Sequence, residues 1–206
     1  RIGGGAMDIE RIRTGAIGLA AAMLFLAGCA GVDSARDNWR PLAPELARLS
    51  LPQDATARRE AWATSTHYAE RLDLEGGGTS SRVEMHILTW DMIFTERPSQ
   101  ASFTARMAEI PRFADPAARH GPVLEVKTAS GFGQMRVSET GGMSCVTGQL
   151  WLRRNPGDNL ARYNARLAAW RCRDLAAGAY SPEDAKAFLS VIAVAKSTYD
   201  GRGIQH

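Results

Sequence analysis

Few side chains in this chain stand at spacings that could do chemistry. The thiols are Cys29, Cys145 and Cys172, and the acid–base candidates are Glu84, His86, Asp91 and His120. None of the four lies near a nucleophile at a recognisable spacing, so they make no catalytic motif. No CxxC or HExxH pattern occurs, which leaves zinc without a ligand set. The glycine run Gly76–Gly78 lacks both the lysine of a phosphate loop and the spacing of a dinucleotide fingerprint, so a turn is expected there. The expectation is a chain with no catalytic residue, no metal and no cofactor.

Cys29 sits in a particular setting. Arg11 and Arg13 precede Ala16–Ala27, an uncharged run long enough for the apolar region of a secretory signal. A bilayer span needs roughly 20 apolar residues, more than this run supplies. The run ends in Leu26-Ala27-Gly28-Cys29, which resembles the lipobox of bacterial lipoproteins. That resemblance implies a diacylglyceryl thioether on Cys29, cleavage after Gly28 and acylation of the new amine. Two or more chains hold stably where one is marginal, each buried CH₂ contributing about 0.8 kcal/mol. Ala30 after the cysteine implies the periplasmic leaflet of the outer membrane. Residues 1–28 are therefore expected to be a signal peptide, with Met7 the native start and 1–6 a translated upstream region.

Charge adds little. The 25 basic and 22 acidic residues leave a net charge of +3, which gives no argument for nucleic acid. In an oxidising compartment the pair Cys145 and Cys172 is expected to form a disulfide, worth about 3–4 kcal/mol in the chain-entropy model.

The elements that would position these groups follow from pattern. Residues 29–53 read as a lipidated tether, rich in proline. A helix is expected from Asp54, with Ala61, Trp62, Ser65, Ala69 and Leu72 at helical spacing. RVEMHILTWDMIFTE (82–96) is strand-like. Either a bulge near Leu88 leaves Glu84, His86 and Asp91 toward solvent, or the strand is covered on both sides and Asp91 is buried. A short helix capped by Ser99 should run to Pro111. Strands are expected over 122–128, Gln134–Ser138 and from Met143, with Gly141-Gly142 as a turn. Ser181 and Pro182 begin a last helix carrying Phe188, Leu189, Ile192 and Ala195 on its buried stripe. Residues 201–206 read as a frayed tail. The expected fold is a single small α+β domain over 54–200, an antiparallel sheet with packed helices.

Residues 143–154 and 162–173 flank the turn-rich Asn155–Asn159. Pairing them antiparallel with Cys145 opposite Cys172 places Leu150 opposite Leu167, Val146 opposite Arg171 and Leu152 opposite Ala165. One face then collects apolar residues. The other collects Gln149, Trp151, Arg153, Arg166 and Trp170, a candidate binding surface for a glycan or protein unless a helix covers it and the tryptophans are core. A helix over 160–172, with Leu160, Tyr163, Leu167 and Trp170 in register, is the rival pattern.

Gly131-Phe132-Gly133, Cys145 with Gln149, the run Arg171-Cys172-Arg173-Asp174 and the capped helix after it resemble the C-terminal part of BcsN-type lipoproteins, accessory proteins encoded with bacterial cellulose synthesis. The likeness covers roughly the last third of the chain; the tryptophan of the family's Trp-Gln pair has no counterpart before Gln149. It implies an accessory role near exopolysaccharide export. The functional expectation is a membrane-anchored, non-enzymatic protein that binds an envelope protein or glycan. The alternative is a periplasm-facing hydrolase of cell wall or polysaccharide, which would need a buried carboxylate pair or a Ser–His pair.

Overall fold

Alternation, the period of a pleated strand, governs most of the chain. The computed structural model describes residues 38–52, 56–88, 99–129, 131–153 and 163–195. Its strands are β1 (Arg40–Pro41), β2 (Leu49–Ser50), β3 (Arg58–Ala63), β4 (His67–Gly76), β5 (Thr79–Leu88), β6 (Arg119–His120), β7 (Leu124–Lys127), β8 (Gly131–Thr140), β9 (Met143–Arg153), β10 (Tyr163–Asp174) and β11 (Ala193–Val194). The helices among the described residues are α1 (Gln100–Ala108), α2 (Pro111–Ala114) and α3 (Pro182–Ser190). Nine strands make one antiparallel sheet in the order β1-β3-β4-β5-β10-β9-β8-β6, with β7 also pairing β8.

The expected α+β domain is thereby corrected. The domain is a predominantly antiparallel β fold with short helices, and residues 58–76 are two strands rather than a helix. The helical spacing of Ala61, Ala69 and Leu72 is a coincidence across two strands and their turn, for Ala61 and Leu72 face the core and Ala69 the opposite side. Along β4, Tyr68, Ala69, Glu70 and Leu72 are all buried, so both faces are covered and the apolar pattern is smeared. Residues read as tether also belong to the fold: Pro41 lies in the sheet, and Leu42, Leu49 and Leu51 are in the core. From Arg40 onward the chain forms one compact unit. Cys29, Asp91, the proposed bulge beyond Leu88 and the C-terminal tail lie outside the described residues.

Glycines make the hairpins. Gly76 pairs with Thr79 and Thr140 with Met143, so each turn has two residues, Gly77-Gly78 and Gly141-Gly142, all with positive φ. That is the backbone twist a two-residue hairpin needs. The helix starts are also local. Ser99 and Ser181 each accept from a backbone N–H three residues on, and Ser102 and Asp184 return the bond.

β9 and β10 pair with Cys145 opposite Cys172, Leu150 opposite Leu167, Val146 opposite Arg171 and Leu152 opposite Ala165, and the disulfide is formed. The rival helix over 160–172 is absent from Tyr163 onward. One face of the sheet holds Leu72, Val83, Met85, Val146, Leu150 and Leu167 under Phe188 and Leu189 of α3. Leu189 fills the place where Gly148 has no side chain; a Cβ there would collide with it. On the same face the buried Glu70 carboxylate accepts from the backbone N–H groups of Arg48 (2.9 Å) and Leu49 (3.0 Å) and from the Tyr68 hydroxyl (2.8 Å). Arg59 donates to the Leu49 carbonyl at 2.8 Å. Together these bonds seat β2 on the sheet, where it pairs with β11.

Replacing Cys145 and Cys172 together by alanine should lower unfolding free energy by about 3–4 kcal/mol, because the unfolded chain regains the entropy of an open loop. Denaturant unfolding of the oxidised protein against the double variant measures it, and an unchanged midpoint would contradict the assignment.

Candidate functional site

With the apolar face committed to the core, function must lie on the opposite face or at its edges. Register places two rows of side chains there. One runs Trp62, Ala69, His86, Arg166, Trp151, Phe132 across β3, β4, β5, β10, β9 and β8. The next runs Glu60, Arg71, Glu84, Ala168, Gln149, Gln134. Helix α1 crosses this face. The guanidinium of Arg136 on β8 lies 5.5 Å from the Phe103 ring, while Arg106 approaches Glu84 on β5 at 4.0 Å. Phe103 and Met107 are wholly buried beneath it.

The candidate Trp surface is therefore corrected. Trp151 and Gln149 are 0% and 1% exposed, so they belong to the interior and cannot greet a partner in solution. Arg166 stands opposite Trp151 as expected and is half-buried, as is Trp170, whose ring lies 4.8 Å from the Arg112 guanidinium. Arg153 pairs with Tyr163, because the register shifts at Asn164. The disulfide packs under Phe113 of α2, with Ile110, Met143 and Trp170 around it.

What remains half-exposed on this face is an aromatic and acid–base chain centred on β4 and β5. His67 Nε2 and His86 Nδ1 are 3.0 Å apart, and His86 Nε2 is 2.6 Å from Glu84 Oε1. The Trp62 ring meets the His67 ring edge-on at 4.6 Å between centroids. Glu84 and His86 share a face because they are two apart on one strand; the Gly77-Gly78 turn brings His67 beside them. His67 was not singled out from the sequence, since residues 54–72 read as helix. The hairpin centred on that glycine pair was the signal that would have found it, for it sets Ala69 opposite His86 and His67 opposite Leu88.

Burial, and then the charges of His86 and Arg166, push the His67 imidazole down to about 4. Burial works to raise the Glu84 carboxyl, but the hydrogen bond and charge of His86, with Arg106 and Arg82 beyond, hold it at about 2. At neutral pH the chain thus has an ionised carboxylate at one end and a neutral imidazole at the other. A single proton serves the bond between the two rings. The surrounding charges are consumed in pairs: Arg71 and Arg58 with Glu60, and Arg82 with Asp73 at 2.6 and 3.0 Å. Among the described residues no three His, Cys, Asp or Glu side chains gather as metal ligands.

His120 stands apart at the β6 edge. Its Nδ1 is 2.9 Å from the Ser138 hydroxyl, and burial, then Arg136, lower its pKa against the raising effect of a bond to the Phe113 backbone. This is a Ser–His pair with a third group orienting the ring, but Ser138 is only 2% exposed. Comparison with protein-family models, with curated proteins and with solved structures finds no match to this chain.

The His67 environment has a thermodynamic consequence. The unfolded imidazole protonates near 6.5 and the folded one near 4, so between those values the unfolded chain binds more protons. Stability should fall on the order of 2–3 kcal/mol as pH drops from 6.5 to 4. A further loss should follow between 4.5 and 2 as Glu84 protonates. Urea midpoints measured across this range should show the upper limb in the native protein and a much flatter one in His67→Gln.

Proposed function

We propose that this protein is an envelope lipoprotein, anchored through Cys29 in the periplasmic leaflet of the outer membrane, that binds a glycan without turning it over. The observation that carries the binding reading is the half-buried row of Trp62, His67, His86 and Glu84. An indole offers an apolar face to a sugar ring, while imidazole and carboxylate edges meet its hydroxyls. The lipobox-like end of the signal and the likeness to cellulose-biosynthesis accessory lipoproteins support an exopolysaccharide as the source of that glycan. A protein partner on the same face is the variant of this reading in which the tryptophan acts as an anchor.

The hydrolase reading rests on the hydrogen-bonded His120 and Ser138. It is the weaker one, because a nucleophile must reach its substrate and the Ser138 hydroxyl is enclosed.

Trp62→Ala should weaken binding of soluble cello-oligosaccharides or other exopolysaccharide fragments at least tenfold, with unfolding free energy lowered by no more than about 1–2 kcal/mol. Trp151→Ala should instead cost about 3–5 kcal/mol of stability, as a buried indole does. Titration calorimetry and denaturant unfolding on both variants separate the roles, and equal binding by native and Trp62→Ala protein would end the glycan reading at this face. For the hydrolase reading, a fluorophosphonate probe is expected to leave the native protein unlabelled. Labelling that vanishes in Ser138→Ala would reverse the order of the two.

A further inference from the structure

Glu84, His86 and His67 are bonded end to end, which gives the trio a direction. His86 uses both ring nitrogens: Nε2 lies 2.6 Å from Glu84 Oε1, and Nδ1 lies 3.0 Å from His67 Nε2. His67 uses one. Its Nδ1 bonds no described residue and is not among the enclosed polar atoms, so it is the open end of the trio. The ring that carries it has its centroid 4.6 Å from that of Trp62.

Valence fixes where the protons sit. Burial works to neutralise Glu84, but the bond from His86, the His86 charge, Arg106 of α1 at 4.0 Å and Arg82 keep it ionised. A carboxylate only accepts, so His86 holds a proton on Nε2. With His86 neutral, its Nδ1 is a lone pair, His67 donates from Nε2, and His67 Nδ1 is left as an acceptor. One added proton inverts that order. It enters at His67 Nδ1, the Nε2 proton of His67 passes to His86 Nδ1, and the positive charge settles on His86 against the carboxylate. His67 ends neutral with its proton on Nδ1, now a donor. Only N–H bonds are made and broken, and one proton in gives one positive charge.

The surrounding charges favour that ending. Burial, the His86 charge and Arg166 of β10, which stands opposite His86, all oppose a charge on His67. Arg71 of β4, opposite Glu84, bonds Glu60 of β3, Arg82 bonds Asp73, and Arg106 also reaches Glu109 at 3.4 Å. Two imidazolium rings at 3.0 Å would have no acceptor between them, so the pair carries its first charge as a unit.

We infer that Glu84, His86 and His67 form a proton relay that inverts the hydrogen-bonding sense of His67 Nδ1, so that the surface beside Trp62 offers an acceptor when the relay is neutral and a donor when it carries one proton. A donating hydroxyl suits the first state. A carboxylate or acyl carbonyl, which can only accept, is held in the second. The relay belongs to the protein's own groups and stands whether or not the row binds a glycan.

The full chain, labelled with nitrogen-15, tests this without a ligand. Long-range proton–nitrogen spectra of the imidazoles read which ring nitrogens carry protons as pH falls from about 8 to about 4. At the upper end Nδ1 of both His67 and His86 should be unprotonated. The first proton should make His86 an imidazolium and move the His67 proton from Nε2 to Nδ1, both changes sharing one midpoint. Glu84→Gln should lower that midpoint by at least about one pH unit, a tenfold loss of proton affinity, because the paired anion is gone. The relay is overturned if His67 becomes the imidazolium at the first step, if its proton stays on Nε2, or if neither ring changes over the range. An unmoved midpoint in Glu84→Gln overturns it too. Should that variant fail to fold, the titration of the native protein decides alone.

Discussion

The pairing of β9 with β10 is the constraint on which the rest depends. Two central strands of the sheet are fixed at the one register that sets Cys145 opposite Cys172, and a slip of one residue would turn every side chain to the other face. The covalent bond and the apolar pattern agree on that register. Leu150, Leu152, Val146 and Leu167 then join the core with Phe188 and Leu189 of α3, while Gln149, Trp151 and Arg166 lie on the face that α1 crosses. Because β5 pairs with β10 and β8 with β9, the same choice propagates outward to His86 and Glu84 on one side and to Gln134 and Arg136 on the other. Agreement between independent cues is the mark of a sequence that specifies one fold.

The two faces of the sheet are unlike in kind. The face under α3 is an ordinary hydrocarbon interior with one well-satisfied carboxylate, Glu70, whose bonds are accounted for by Arg48, Leu49 and Tyr68. The face under α1 mixes aromatic, cationic and amide groups, some paired and some not. A protein rarely keeps polar groups in a layer it could have made apolar, since a half-satisfied network is worse than none. That contrast is why both functional readings fall on this side of the sheet.

Much of this could be read in the sequence where the signal was local. The Ser99 and Ser181 caps, the Gly141-Gly142 turn, the strand at 124–127 and the partners of Cys145, Leu150 and Leu152 all rest on residues within a few positions of each other or on a single covalent ruler. Residues 58–76 failed because Ala61, Ala69 and Leu72 fall at helical spacing across two strands and their turn, and the cover on both faces of β4 erased the alternation. The Trp151 face failed differently. Its parity was right, but nothing in the strand itself states that α1, nearly fifty residues earlier, would lie across it. The Glu84–His86–His67 chain was half legible: spacing on one strand joined the first two, and only the fold delivers the third.

The small ladder of β2 with β11 has a topological meaning. Leu49 pairs with Val194 and Ser50 with Ala193, so a strand early in the described domain is held against one late in it. The body is in effect a ring closed by a non-covalent clasp, and the Glu70 bonds fasten one half of that clasp to the sheet. Losing β11 would uncover Leu49, so damage late in the sequence is felt at a strand formed more than a hundred residues earlier.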